Sequence, residues 1–210
     1  MTETSSRGRP AKPESELREV VFAAMFAILD EKGAGALSVD EIARKSKVAK
    51  KTLYKYFANK ETLVEAMIVA WTSTEVLPAL AMPASKEEVV TQLRLFFIAL
   101  AARVLSRESV AIYRFLQHDS EPKQPLIALY RKHGIENATR MLDEWFRAVR
   151  ETGLLNAAWP ENGGYYLQSM IVTPLLRDIS LGMSASGAEA HISAVVACVL
   201  DDFSPLLLAR

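Results

Sequence analysis

The sequence lacks the residue patterns that mark disulfide scaffolds, metal sites and catalytic centres. Its 210 residues include one cysteine, Cys198, which excludes an intrachain disulfide and fits a reducing compartment. Three histidines, His118, His133 and His191, are scattered, and no His-Glu-x-x-His, Cys-x-x-Cys or phosphate-loop pattern occurs. The sequence therefore predicts no catalytic residue, no metal ligand and no cofactor, and we expect a protein that is not an enzyme.

Long hydrophobic runs and a signal pattern are also missing. The uninterrupted apolar runs are short, such as residues 205–209, whereas a membrane span needs about 20 apolar residues. No basic region followed by an apolar run begins the chain, so we expect no signal peptide. These absences predict a cytoplasmic protein with no membrane partner.

Net charge is absent too, but the charges are unevenly distributed. Lysine and arginine together number 25, as do aspartate and glutamate. The segment from Ile42 to Lys60 nevertheless holds seven basic residues and no acidic one: Arg44, Lys45, Lys47, Lys50, Lys51, Lys55 and Lys60. Such a patch on a neutral chain is typical of a phosphate-binding surface. Charge alone leaves the alternative, a solvated helix face, equally open.

Apolar periodicity predicts helices along the whole chain and no strands, which makes the fold class all-α. We expect about nine helices, with a break at Gly134 left open in the longest. Their main predicted spans after the first helix are residues 39–45, 50–57, 60–77, 86–106, 108–118, 125–152, 163–181 and 188–207. The predicted organisation is a disordered basic arm (1–13), a three-helix head (14–60) and a helical body (61–210).

Two of the short helices form a helix-turn-helix pattern. Ser38 is a good N-cap residue, and Glu41 three residues later suggests a capping box. The inner face has small or apolar residues for packing: Ile42, Ala43, Val48, Leu53 and Phe57. The outer face of the second helix carries phosphate donors and base-edge readers: Lys50, Lys51, Thr52, Tyr54, Lys55 and Tyr56. The pattern predicts insertion of this second helix into a DNA major groove.

The same stretch closely resembles the TetR family of bacterial regulators. The resemblance covers about residues 14–70 and is most specific over residues 52–63, which read Thr-Leu-Tyr-Lys-Tyr-Phe-Ala-Asn-Lys-Glu-Thr-Leu. It implies DNA contacts by Thr52, Tyr54, Lys55 and Tyr56, with Lys50 and Lys51 near base edges. It also implies phosphate contacts by Ser38 and Lys60. For the two tyrosines, packing between helices is the alternative.

Three positions depart from the family pattern. Lys47 replaces a frequent turn glycine, so a left-handed backbone there costs about 1 kcal/mol. Ala49 removes the usual polar cap of the recognition helix, another contribution of about 1 kcal/mol. Lys51 stands where glycine is also frequent. Together these departures exchange helix stability for positive charge.

A second DNA signal lies in the N-terminal arm. Residues Arg7-Gly8-Arg9-Pro10 resemble the core of an AT-hook, in which arginines lie in a narrow A/T minor groove. The match is only four residues long, so an ordinary flexible tail is the alternative reading.

The body resembles the family only in helix count and lengths, and the resemblance implies a small-molecule site. We expect its lining to come from Phe96, Phe97, Arg103, Tyr113, Phe115, Gln117, His118, Met141 and Trp145. Plain core packing is the alternative for each of them. Cys198 lies on an apolar stripe and is expected to be buried.

The last two predicted helices are apolar over more than one stripe. The resemblance implies that they pair with a second copy, which predicts a homodimer through about residues 163–207. The predicted function is a repressor that binds a near-palindromic duplex operator and leaves it when a small apolar ligand binds. One alternative is a regulator switched by a protein partner. Another is a small-molecule-binding or enzymatic protein with a vestigial head.

Overall fold

A computed structural model of the chain describes residues 13–73, 76–118, 123–183 and 189–209. Their helices are α1 Glu14–Lys32, α2 Val39–Ser46, α3 Lys50–Tyr56, α4 Lys60–Trp71, α5 Lys86–Val104, α6 Arg107–Gln117, α7 Gln124–Tyr130, α8 Asn137–Glu151, α9 Gly163–Ser180 and α10 Glu189–Leu207. These ranges contain no named strand, only an isolated bridge between Leu155 and Leu208. The all-α prediction is confirmed.

The predicted helix over residues 125–152 is continuous but not uniform. A π-helical segment, Arg131–Glu136, joins α7 to α8, so the described ranges contain nine helical rods rather than ten. Gly134 lies in this segment, and a Cβ added there would be 3.4 Å from the Thr72 side chain. The helix therefore widens where it passes the end of α4, and such π-turns are frequent at functional sites.

Side-chain caps fix several helix starts, although not always in the predicted form. The Ser85 hydroxyl accepts a hydrogen bond from the Glu88 amide at 3.2 Å, as a capping box requires. The Glu88 carboxylate, however, accepts from the Ala84 amide instead of completing the box. A complete box forms at the start of α4, where the Asn59 and Thr62 side chains each accept from the other's backbone amide.

Two hydrophobic clusters organise the packing, and the first extends across the boundary predicted at residue 60. The first joins α1–α4 to four residues of α6: Ala111, Ile112, Phe115 and Leu116. The second is built mainly from α5, α8, α9 and α10. The helices α4 and α6 therefore tie the head to the body. The division into 14–60 and 61–210 stays a prediction.

The last helix is more exposed than its composition would suggest. Among the described helices, α10 alone is long and apolar enough by itself to cross a membrane, and α5 with α6 passes the same test as a pair bent by 59°. One stripe of α10 is buried in the second cluster: Ile192, Val196, Leu200 and Leu207. The expectation of a buried Cys198 is wrong for the single chain, because this residue lies on the exposed side of the helix.

The crossing of α8 and α9 depends on a glycine. A Cβ added to Gly164 would lie 2.7 Å from Leu142 Cβ and 2.7 Å from Asp143 Oδ1, so the helices would have to separate. We predict that Gly164→Ala lowers the free energy of unfolding by about 1–3 kcal/mol. The control, Gly35→Ala, meets nothing within 4 Å and is expected to change stability by less than about 0.5 kcal/mol. Urea titration measures both, and equal stability of the two variants would contradict this view of the crossing.

Candidate nucleic-acid interface and internal cavity

The turn between α2 and α3 has the geometry of a helix-turn-helix. Lys47 adopts φ 58° and ψ 27°, so the left-handed conformation considered for this position is present. Ser46 is buried beside it, and its hydroxyl accepts a hydrogen bond from the Val48 amide at 3.3 Å. Ala49 gives α3 no side-chain cap, as predicted. The turn is therefore fixed by packing and by Ser46 rather than by glycine and a capping residue.

Buried apolar residues determine which face of α3 points outward. Leu53 on α3, Phe57 just after it and Ile42 on α2 are buried in the first hydrophobic cluster. The Phe57 ring packs 6.4 Å from the ring of Phe22 on α1, and the Arg18 guanidinium lies 5.0 Å from its centroid. With this face fixed against α1 and α2, most of the other side chains of α3 face solvent, and Tyr56 packs in part against the same cluster.

The outward face of α3 brings together the six side chains that the sequence predicted to contact DNA. Lys50, Lys51, Tyr54 and Lys55 are exposed, while Thr52 and Tyr56 are partly buried. The Tyr54 side chain is 53% exposed, so it is available for a contact outside the protein rather than used in the core. The Lys55 ammonium lies 5.4 Å from the Tyr56 ring centroid.

Carboxylates neutralise the basic segment from Ile42 to Lys60 only in part. Three of its seven basic residues form ion pairs: Arg44 with Glu41, Lys45 with Glu31, and Lys50 with Asp40. The other four form no ion pair within the described ranges: Lys47, Lys51, Lys55 and Lys60. Exposed pairs contribute only about 0–1 kcal/mol, so the Lys50 pair is easily exchanged for a phosphate.

Glu41 holds α2 against α1. Its carboxylate accepts hydrogen bonds from Arg44 at 2.6 and 2.8 Å and from Lys32 of α1 at 2.8 Å. These bonds lower the pKa of Glu41 to about 2, and the bond from Arg44 has the largest effect. The predicted box with Ser38 forms only in half: the Ser38 hydroxyl accepts from the Glu41 amide at 3.2 Å.

The remaining predicted contact residues flank this surface. Ser38 is exposed at the start of α2, and Lys60 is partly buried at the start of α4. Arg7 and Arg9 lie outside the described residues.

A cavity of about 490 Å³ lies in the body, against the end of α4. Its walls come from α4 to α9 and from the π-helical segment. The lining residues include Trp71, Leu77, Leu100, Arg103, Val104, Tyr113, Gln117, Tyr130, Ile135, Ala138, Tyr165, Gln168, Val172, Thr173, Leu176 and Arg177. Apolar and aromatic walls with a few polar groups, at this volume, are typical of small-molecule sites.

Several polar groups of the cavity are held in fixed states. Burial, assisted by the neighbouring Tyr113, raises the pKa of Tyr130 to about 12, so this phenol remains a hydrogen-bond donor at neutral pH. The Gln168 side chain is buried, and its carbonyl oxygen accepts from the Thr139 hydroxyl at 2.9 Å. The Ser180 hydroxyl is buried without a hydrogen-bond partner among the described groups.

Three of the nine predicted lining residues lie on this cavity: Arg103, Tyr113 and Gln117. The other six lie elsewhere. Phe96, Phe97 and Trp145 are buried in the second cluster, and Met141 packs against it. Phe115 belongs to the first cluster, and His118 is exposed at the end of α6. No three or more histidine, cysteine, aspartate or glutamate side chains of the described residues come close enough to hold a metal ion.

Sequence analysis missed the wall that α9 contributes, because it assigned this helix to the dimer interface. Tyr165, Gln168, Val172 and Leu176 repeat at three- and four-residue spacings along one side of α9, and all four line the cavity. The mixture of polar and aromatic residues along this stripe was the sequence signal for a cavity wall. Tyr166 and Met170 stand on another, exposed side of the same helix.

Trp71 connects the cavity to the head. Its ring packs 4.5 Å from the ring of Phe26 on α1, and its indole nitrogen donates to the Ser109 hydroxyl of α6 at 2.6 Å. The Arg103 guanidinium stacks on the indole at 3.6 Å from the ring centroid and donates to the Trp71 carbonyl at 2.8 Å. One residue at the end of α4 thus contacts α1, α5 and α6.

Solved structures of similar architecture are numerous. A structure named Flavonoid-responsive Regulator FrrA is 27% identical, with a TM-score of 0.71 over 93% of this chain and 99% of that one. A TetR transcriptional regulator from Agrobacterium tumefaciens is 23% identical, with a TM-score of 0.73 over 92% and 95% of the two chains. The second likeness shows the fold alone.

Sequence comparison assigns the family. The uncharacterized HTH-type transcriptional regulator YdeS of Bacillus subtilis (strain 168) is 33% identical over 108 residues, so this chain spans about half of that relative's length. Residues 22–67 match the family described as bacterial regulatory proteins, tetR family. Residues 91–204, more than half of the chain, match the C-terminal domain of AefR-like transcriptional repressors. The chain belongs to the TetR family of bacterial transcriptional regulators.

Proposed function

We propose that this protein is a homodimeric repressor that binds a near-palindromic duplex operator through α3 and leaves it when a small, largely apolar ligand occupies the body cavity. The observation that carries the DNA part is the outward face of α3. It presents lysine, threonine and tyrosine side chains, backed by a packed inner face, in a basic segment whose charges are only partly neutralised. A vestigial head would have no need for this arrangement.

Each residue of the surface has a proposed role. Lys50, Lys51 and Thr52 form the first turn of α3, the end of a recognition helix that reaches base edges. Tyr54 and Tyr56 position the helix in the groove, and Lys55 binds phosphate. The flanking contacts that we assign are Ser38 and Lys60 to phosphates, and Arg7 and Arg9 to an A/T-rich minor groove.

Exposed apolar side chains on α9 and α10 support the dimer. Tyr166, Met170 and Leu206 are each more than 40% exposed in the single chain. Apolar surface of this kind is typical of interfaces, and a twofold pairing of α9 and α10 would cover it in both copies. This pairing also accounts for the apolar composition of α10 in a cytoplasmic DNA-binding protein.

The cavity supports control by a ligand over the alternative, control by a protein partner. Its volume of about 490 Å³ exceeds the roughly 300 Å³ that small-molecule sites need. One structural relative is named as a flavonoid-responsive regulator, which supports control by a small molecule. Because Trp71 lies on the cavity wall, a ligand that prefers one position of α4 biases the spacing of the two heads. A screen for small molecules that release bound duplex DNA tests this part.

For the recognition helix, we predict different effects of Tyr54→Ala and Lys55→Ala. Loss of the Lys55 phosphate contact weakens all sequences equally and reduces the salt slope of binding by about one. Loss of Tyr54 costs about 1–3 kcal/mol and relaxes specificity if its ring meets a base. Fluorescence anisotropy at several salt concentrations, on duplexes selected from random fragments, measures both.

Lys86→Ala is the matched control, because Lys86 lies at the start of α5 and away from this surface. If all three variants bind the selected duplex as the parent does while folded, α3 is not the recognition helix.

For the dimer, we predict a solution mass of twice the 23.3 kDa chain mass at micromolar concentration. Met170→Arg places a charge on the exposed face of α9 and should shift the equilibrium toward monomer. Met82→Arg, at a methionine between α4 and α5 that is also exposed, should remain dimeric. Analytical ultracentrifugation distinguishes these states, and a monomeric parent would contradict the proposal.

A further inference from the structure

The charges around the cavity have one sign. Its lining includes two arginines, Arg103 and Arg177, and no aspartate, glutamate, lysine or histidine among the described residues. A neighbouring groove of about 560 Å³ between α1 and α6 shares Arg103 with the cavity and adds Arg107, but it also has four carboxylates: Glu19, Asp30, Glu31 and Glu108. Arg103 therefore borders both spaces, and among the described residues only the cavity side has no carboxylate in its lining.

Arg103 carries this charge inside the protein. It forms no ion pair with any described residue, and its Nε is buried without a hydrogen-bond acceptor. Burial lowers the pKa of Arg103, and the more distant charge of Glu108 offsets only part of this effect. Arg103 is partly buried, and a partly buried cation without a close counterion is less favourable than a paired one. Its fork of five N–H donors is suited to a carboxylate.

Arg177 is different, because its charge is already balanced. It lies at the exposed end of the wall and pairs with the adjacent Asp178 at 2.9 Å. Arg103 instead stacks on the Trp71 indole, and Tyr113 and Tyr130 line the same cavity. Arg103 is therefore the cavity's uncompensated cation within the described ranges, with aromatic walls around it.

We propose that the ligand of this cavity is an organic anion with a planar apolar body, a carboxylate or phenolate whose charged group binds Arg103. The proposal rests on the ligand-controlled function proposed above and narrows the ligand class. The aromatic walls take the apolar body, the guanidinium takes the charge, and the phenol of Tyr130 donates a further hydrogen bond. A neutral apolar ligand would leave the Arg103 charge uncompensated.

The test compares two isosteric probes, 2-naphthoate and 2-naphthamide, which differ in charge. Calorimetry at neutral pH measures the binding of each to the full-length parent protein, to Arg103→Gln and to the matched control Arg94→Gln, because Arg94 lies on the same helix as Arg103 and does not line the cavity. The parent and the control should bind naphthoate about 10-fold or more tightly than naphthamide. In Arg103→Gln this preference should fall to near parity while naphthamide affinity is retained.

Fold is checked by circular dichroism, and the probe preference of the parent is informative even if Arg103→Gln does not fold. Equal affinities, or a preference for naphthamide, would overturn the assignment of an anion while leaving an apolar ligand and the proposed function intact. A naphthoate preference that survives Arg103→Gln would overturn the role of Arg103. Binding of neither probe at millimolar concentration would overturn the ligand class. Duplex binding, measured separately by anisotropy, shows whether the repressor function itself fails.

Discussion

The contacts of the Trp71 indole set the position of α4, and with it the relation between head and body. A tryptophan at the end of this helix packs on α1, donates to Ser109 on α6 and stacks with Arg103 on α5. Its ring is partly buried, and its N–H has a hydrogen-bond partner in Ser109. Because the same residue lines the cavity, a change in the cavity and a shift of α4 cannot be independent.

The head has a lysine and an alanine where a turn glycine and a polar cap are usual, which lowers its local stability. Packing elsewhere in the head compensates for this loss. A left-handed Lys47 and an uncapped α3 each cost about 1 kcal/mol relative to the residues usual at these positions. The compensations lie outside the turn: Leu53 and Phe57 are buried, and Glu41 joins α2 to α1. The helix α3 is thus positioned by its neighbours, which leaves most of its outward side chains exposed.

The sequence predicted the helices and the head well because their signals are local. Period, caps and the residues around the turn lie within a few positions of one another, and the left-handed Lys47 and uncapped Ala49 follow from them. The cavity could not be predicted in the same way, since its walls come from helices far apart in the sequence. The prediction that Phe96 and Phe97 line the cavity is wrong, because both are buried in the second hydrophobic cluster.

The other differences between prediction and structure arise where one helix contributes to two surfaces, or where one side chain has competing partners. The helix α9 serves two surfaces at once, so an assignment of the whole helix to the dimer concealed its cavity wall. The Glu88 carboxylate accepts a hydrogen bond from the Ala84 amide, and the Glu41 carboxylate accepts from Arg44 and Lys32. The three-residue spacing that predicts a capping box does not include these competing donors.

Linkage between the cavity and α3 is the central claim, and calorimetry tests it most directly. The affinity of 2-naphthoate would be measured on the free protein and on the protein saturated with its selected duplex. Linkage requires that the ligand and the DNA weaken each other by the same factor, about 5- to 150-fold for a typical coupling. The account predicts weaker naphthoate binding in the DNA complex, by the factor with which naphthoate releases the duplex. Equal affinities with and without the duplex would contradict it, because the cavity would then be unconnected to DNA binding.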